Sequence, residues 1–190
     1  MTILLIILVA IAVIAGIFLL WAAGAYNGFV RLSALVDEAW SGIDVQLKRR
    51  YDLIPNLVST VEGYSVHERA IFERIAQARA AAMGATTVEG KAQAEAGLTG
   101  ALKSLFAVAE NYPDLKASQN FLSLQHQLST IEQEVQLARR YYNGACRNYN
   151  TRVASVPASL IASISGFKIR PYFEMSDVAQ REAPSVSFKH

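Results

Sequence analysis

Cysteine is almost missing: the 190 residues hold one, Cys146. No intrachain disulfide can form, so the redox compartment leaves no mark on the sequence. Its neighbours Ala145 and Arg147 place it within a helical pattern, where a lone thiol acts as a small apolar core residue. A reactive thiol would need a paired base, and no such pair is evident. Histidine is nearly as scarce. His67-Glu68 lacks a second histidine four residues after the first, so it is not the zinc-protease pattern, and His126 and His190 stand alone. There is no glycine-rich phosphate loop after a strand, no Gly-x-Ser-x-Gly elbow and no inward Glu-x-x-His pair of a diiron bundle. Neither sign of charge dominates: 18 Lys and Arg against 16 Asp and Glu leave +2. That balance offers no basic stripe for nucleic acid. The chain is expected to have no catalytic residues, no metal and no cofactor.

Charge is also absent from one end. Every Lys, Arg, Asp and Glu lies at or after Arg31. Before it runs ILLIILVAIAVIAGIFLLWAA, from Ile3 to Ala23. As a helix this run is about 30 Å long at 1.5 Å per residue, which matches the hydrocarbon core of a bilayer. Only a helix satisfies its own backbone groups there with one chain segment. Residues 1–25 are therefore read as a transmembrane anchor, with Ile3, Leu4, Ile11, Phe18, Trp21 and Ala23 among the membrane-spanning positions. Trp21 and Tyr26 stand where amphipathic rings favour the interface. A cleaved signal peptide would have a basic start and a shorter apolar stretch, although Ala23-Gly24-Ala25 resembles a cleavage site. Arg31 and Lys48-Arg49-Arg50 come after the span, and the positive-inside tendency places the remainder of the chain in the cytoplasm.

That remainder, roughly 165 residues, is one ordinary domain in size. Between Asp114 and Arg152, Phe121, Leu124, Leu128, Ile131, Val135, Ala138, Tyr142, Ala145 and Tyr149 step by three and four residues, which is a heptad seam. It predicts one long helix from Pro113 to a point before Pro157. A second seam is formed by Phe29, Val36, Trp40, Ile43, Leu47, Ile54, Leu57 and Val61. Pro55 lies within it and should kink the helix without ending it. Between these, Ser65 to Glu68 reads as a capping box opening a helix that stops near Gly84. Thr86 or Thr87 caps another that runs to about Asn111, before a turn at Asn111-Tyr112-Pro113-Asp114. The fold class is all-α: an up-and-down antiparallel four-helix bundle over 26–154, with two long and two short helices. Gly24 and Gly28 could hinge the first long helix against the span. Residues 155–190 are expected to be an extended tail docking Phe167, Tyr172, Phe173 and Phe188 on the bundle or on a neighbouring subunit.

Polar residues in or beside the seams are the remaining candidates: Arg50, Asn56, Glu132, Arg139, Asn143 and Asn150. They read either as a structural network that fixes helix register or as a site for a ligand or partner. Arg50 falls on the seam itself and needs a countercharge there, with Glu132 or Glu134 in reach.

Tyr26-Asn27, the blocks DVQLKRR (44–50) and DLIPNLV (52–58), Tyr112-Pro113 with Leu115-Lys116-Ala117, Ala138-Arg139-x-x-Tyr142-Asn143, Tyr149-Asn150, Pro184 and Phe188 together resemble the bacterial LemA family. The resemblance covers essentially the whole chain. It implies a bacterial membrane protein with an N-terminal span and long helices, and it brings no catalytic residue with it. Relatives used by magnetosome-forming bacteria in making membrane vesicles imply, by analogy, a membrane-shaping role. The first functional expectation is a self-associating, membrane-anchored scaffold in the bacterial cytoplasmic membrane, whose partners are the lipid bilayer and its own copies. The second is an adaptor presenting the bundle to a membrane protease or signalling enzyme. The third is an enzyme or small-ligand sensor using the inner polar residues.

Overall fold

The computed structural model describes residues 1–65 and 68–174. Helices are the only regular elements among them: α1 (Thr2–Glu62), α2 (Arg69–Gly84), α3 (Val88–Ala109), α4 (Pro113–Ala117), α5 (Gln119–Ala154) and α6 (Ala158–Ser165). The apolar N-terminal run is the first part of α1, which continues unbroken through Gly24, Gly28 and Pro55 for 61 residues.

The chain divides into two compact units. The first joins Met1–Ile43 to Arg140–Pro171. Its core forms where Phe29, Val36 and Ile43 of α1 and Tyr142, Ala145, Cys146 and Tyr149 of α5 are buried, as the two seams predict. Trp40 lies against Tyr142 with ring centroids 5.3 Å apart.

The second unit holds Asp44–Arg139 and the chain from Tyr172 onward. Here Leu47, Ile54, Leu57 and Val61 of α1 are buried along with Phe72 and Ile75 of α2, Leu98, Leu102 and Leu105 of α3, and Leu124, Leu128, Ile131 and Val135 of α5. Each such side chain contributes about 1.5–3 kcal/mol by leaving water. Cross-helix bonds give the directions. Thr60 meets Asn120 and Arg50 meets Glu132, so α1 and α5 run antiparallel. Asp44 meets Lys91 and Arg50 meets Thr99, so α1 and α3 run parallel.

Three local expectations change. The helix expected to start at Pro113 is two: Ser118 adopts an extended backbone (φ −68°, ψ 120°) that separates α4 from α5. Buried Leu115 lets the five-residue α4 dock on its own. Ser65 is not the cap of α2. That helix begins at Arg69 with Glu68 at the cap position and no side-chain cap bond, and the buried Ser65 hydroxyl donates back to the Val61 carbonyl at 3.0 Å. The stretch after Ser155 is extended only in part, because Ala158–Ser165 form α6. Gly166, at φ 76°, ends α6 in the left-handed conformation glycine tolerates best. Thr87 does cap α3, accepting from the Gly90 amide at 3.1 Å, and α2 ends at Gly84. Val66, His67, Pro184, Phe188 and His190 lie outside the described residues.

Candidate functional site

The first feature is the apolar start of α1. It is long and apolar enough to cross a membrane, and none of its apolar window is buried by the protein. Ile3, Leu4, Ile11, Phe18 and Trp21 all point outward, and Ala23 is exposed as well. Such a continuous exposed apolar surface needs a non-aqueous partner. Phe18 and Trp21 pair near its end, with centroids 5.7 Å apart.

The second feature is a charged cluster inside the second unit. Arg50 is buried on the seam of α1. Its guanidinium donates to Glu95 at 2.7 Å, to Glu132 at 3.1 Å and to Thr99 at 3.0 Å. Glu95 is also buried and accepts from the Tyr51 hydroxyl. That hydroxyl further approaches the Ala82 carbonyl at 3.4 Å. Burial raises the Tyr51 phenol well above its ordinary pKa, and the hydrogen bond and negative charge at Glu95 push it the same way. Opposite charge and further donors and acceptors offset the cost of the two buried charges, while the Arg50 Nε has no hydrogen-bond partner among the described residues. Arg139 stands over the Phe173 ring at 5.2 Å. Burial pulls its guanidinium below the usual value, opposed by the charge on Glu95. A cavity of about 80 Å³ is lined by Arg50, Glu95, Thr99, Glu132 and Phe173, among others.

The third feature is a stripe on α5 in the first unit, made by Tyr142, Cys146 and Asn150 at four-residue spacing. The Asn150 side chain donates to the Arg170 carbonyl and accepts from the Arg170 amide, both at 2.8 Å. One amide side chain thus replaces the neighbouring strand that this extended backbone lacks. The Tyr142 hydroxyl donates to the Pro171 carbonyl at 2.9 Å, and the Cys146 thiol approaches the same oxygen at 3.6 Å. The Arg170 guanidinium reaches α1, at Ser33 (3.1 Å) and Asp37 (3.2 Å).

The six polar candidates therefore do not form one group. Arg50, Glu132 and Arg139 belong to the second unit, and Asn143 and Asn150 to the first. Asn56 is exposed, with its carbonyl accepting from Thr60 within α1. Glu134 is exposed on α5. The countercharge missed in the sequence is Glu95. Its signal was present, since Ala92, Glu95, Leu98, Leu102, Leu105 and Ala109 lie on one helical stripe and all are buried. Among the described residues, no group of three or more His, Cys, Asp or Glu could hold a metal ion.

Comparison with known proteins gives a consistent picture. The model of the LemA family matches residues 39–188. "Magnetosome protein MamQ 2" of Paramagnetospirillum magneticum is 27% identical over 175 residues, covering 78% of this chain and 64% of the relative. "Magnetosome protein MamQ" of Magnetospirillum gryphiswaldense is 25% identical, again over 78% of this chain and 64% of the relative. The chain thus spans less than two thirds of the length of these magnetosome proteins. "Protein LemA" of Metamycoplasma hominis is 28% identical over 180 residues, covering 92% of this chain and 80% of the relative.

Proposed function

The chain belongs to the LemA family, and on that footing we propose that it is a non-enzymatic, membrane-anchored helical scaffold whose copies associate and organise or remodel the bilayer. The observation that carries this reading is α1: an apolar, outward-facing segment and a bundle-forming segment on one helix of 61 residues. Anchoring confines copies to a surface, where weak lateral contacts add up. Similarity to proteins named for the magnetosome supports a role at a membrane.

The anchor lies in the bacterial cytoplasmic membrane, with Arg31, Lys48 and Arg49 holding the bundle on the cytoplasmic side. The test reconstitutes full-length protein in lipid vesicles and images it, alongside sedimentation in detergent. Large homo-assemblies and altered vesicle curvature are the expected result. A lone monomer at micromolar concentration on undeformed vesicles overturns the scaffold, and a second protein copurifying in fixed stoichiometry favours an adaptor.

A further inference from the structure

Within the first unit, a cavity of about 600 Å³ opens beside the end of the apolar span. Trp21, Gly24 and Ala25 of α1 form one wall, and Thr151, Arg152 and Pro157 lie on the other. Among the described residues no carboxylate lines it, and Arg152 is the one charged side chain that does. The guanidinium stands over the Phe29 ring at 5.5 Å. It sits where a side chain on residue 28 would be, since a Cβ added to Gly28 would come within 2.6 Å of Nη2. Its Nε is buried and has no hydrogen-bond partner among the described residues.

Next to this cavity lies α6, which folds back on the first turns of α1 after the span. Phe167, just past its glycine cap, stacks on Phe29 at 5.0 Å and meets Tyr26 at 5.6 Å. Phe29 is only about 9 Å along the helix from Ala23, so α6 stands level with the end of the apolar surface. The inner side of α6 is filled by Ala162, buried to 1% exposure. Its outer side is apolar and exposed: Leu160 and Ile164, spaced by four, are 59% and 84% exposed, and Val156, in the turn that precedes the helix, is 84% exposed. Short apolar faces of this kind, next to a cation, lie in the headgroup and upper acyl layer of a bilayer.

We infer that this end of the molecule binds an anionic phospholipid, with its phosphate on Arg152 in the cavity and its acyl chains along Val156, Leu160 and Ile164. Arginine suits the headgroup because its fork of N–H donors matches phosphate oxygens. Arg152 has no ion-pair partner among the described residues, so its charge selects anionic over zwitterionic lipid. The lipid is the favoured occupant because Pro157 and Ala158, at the start of α6, line the same cavity as Trp21 and Gly24 at the end of the apolar run. The inference rests on the membrane-anchored reading above.

Full-length protein in detergent is offered equal amounts of phosphatidylglycerol and phosphatidylcholine with matched chains, and the lipids retained are counted by native mass spectrometry. The expected preference for phosphatidylglycerol is about fivefold, the usual effect of one basic residue at a membrane surface. Arg152→Gln should abolish it, and Arg152→Lys should restore part of it. Leu160→Asn with Ile164→Asn, at exposed positions, should lower retention of both lipids several-fold. The last pair decides the matter if Arg152→Gln proves unfolded by circular dichroism: unchanged retention overturns the inference. Equal retention of the two lipids by the wild type also overturns it. So does inorganic phosphate that, at equal concentration, displaces phosphatidylglycerol completely, since the site would then hold a free anion. Alkaline carbonate washing of membranes separates the two readings. Release of the chain removes the anchor itself, whereas a chain that stays bound without lipid preference removes only this site.

Discussion

Arg79 of α2 donates its Nε–H to the backbone carbonyl of Tyr51 in α1 at 2.8 Å. In an uninterrupted helix that carbonyl would accept from the amide four residues on, but residue 55 is proline and has no N–H. A side chain from the neighbouring helix thus supplies the donor that the proline removes, which lets α1 run on through it.

Arg79→Met should therefore cost about 1–3 kcal/mol, because it leaves a part-buried carbonyl unpaired. In a Pro55→Ala background the backbone donor is restored and the same change should cost far less. Denaturant melts of the four proteins in a double-mutant cycle measure the coupling. Strict additivity would show that Arg79 does not serve this carbonyl.

Arg50→Met should be strongly destabilising, by about 3–5 kcal/mol, since it leaves the Glu95 carboxylate buried without its cation. Arg50→Met combined with Glu95→Leu should recover most of that loss, as replacing both members of a buried pair is often neutral. Thermal melts in detergent distinguish a structural pair from a partner-binding one. A single substitution that leaves the melting temperature unchanged while abolishing assembly would move Arg50 to the second role.

The raised Tyr51 phenol makes an alkaline prediction. Between the unfolded and folded pKa values the unfolded chain gives up this proton while the native state keeps it, so native stability falls as pH rises above about 10. Tyr51→Phe should be less stable at neutral pH, having lost the bond to Glu95. It should also flatten the alkaline decline, read from melting temperatures between pH 8 and pH 11. An unchanged slope would place the titration elsewhere.

Cys146 is fully buried, and burial pushes its thiol above the ordinary pKa, against smaller effects of Tyr142 and Arg170 that lower it. Thiolate is the reactive form. A maleimide should label the native protein at a small fraction of its rate in urea. This low background allows a Thr2→Cys variant to report orientation. Labelling at position 2 from outside intact cells supports a cytoplasmic bundle, and labelling there only after lysis reverses it.

Much of the architecture was legible in the pattern of side chains. The apolar run from Ile3 to Ala23 and the three-and-four spacing on both seams are local properties of one strip of chain, and the helix they specify follows from period alone. Helix ends were less legible. The break at Ser118 comes with the burial of Leu115, which no local period specifies, and Ser65 turns back to the Val61 carbonyl where the sequence pattern offered it as a cap. The charged cluster was half legible. A seam position for Arg50 demanded a countercharge, and Glu132 was in reach, but choosing Glu95 required knowing which turn of α3 packs level with Arg50.

By itself, then, the sequence determined the helical class, the exposed apolar start of α1 and the faces that go inward, because each is set by the pattern within a single helix. Tertiary structure alone decided that Arg79 serves the carbonyl above Pro55, that Asn150 holds the backbone of Arg170, and that Arg152 stands over Phe29. Each of those joins residues twenty or more positions apart in the chain, and only the packing of a helix against another segment brings them within hydrogen-bonding or ring-contact distance.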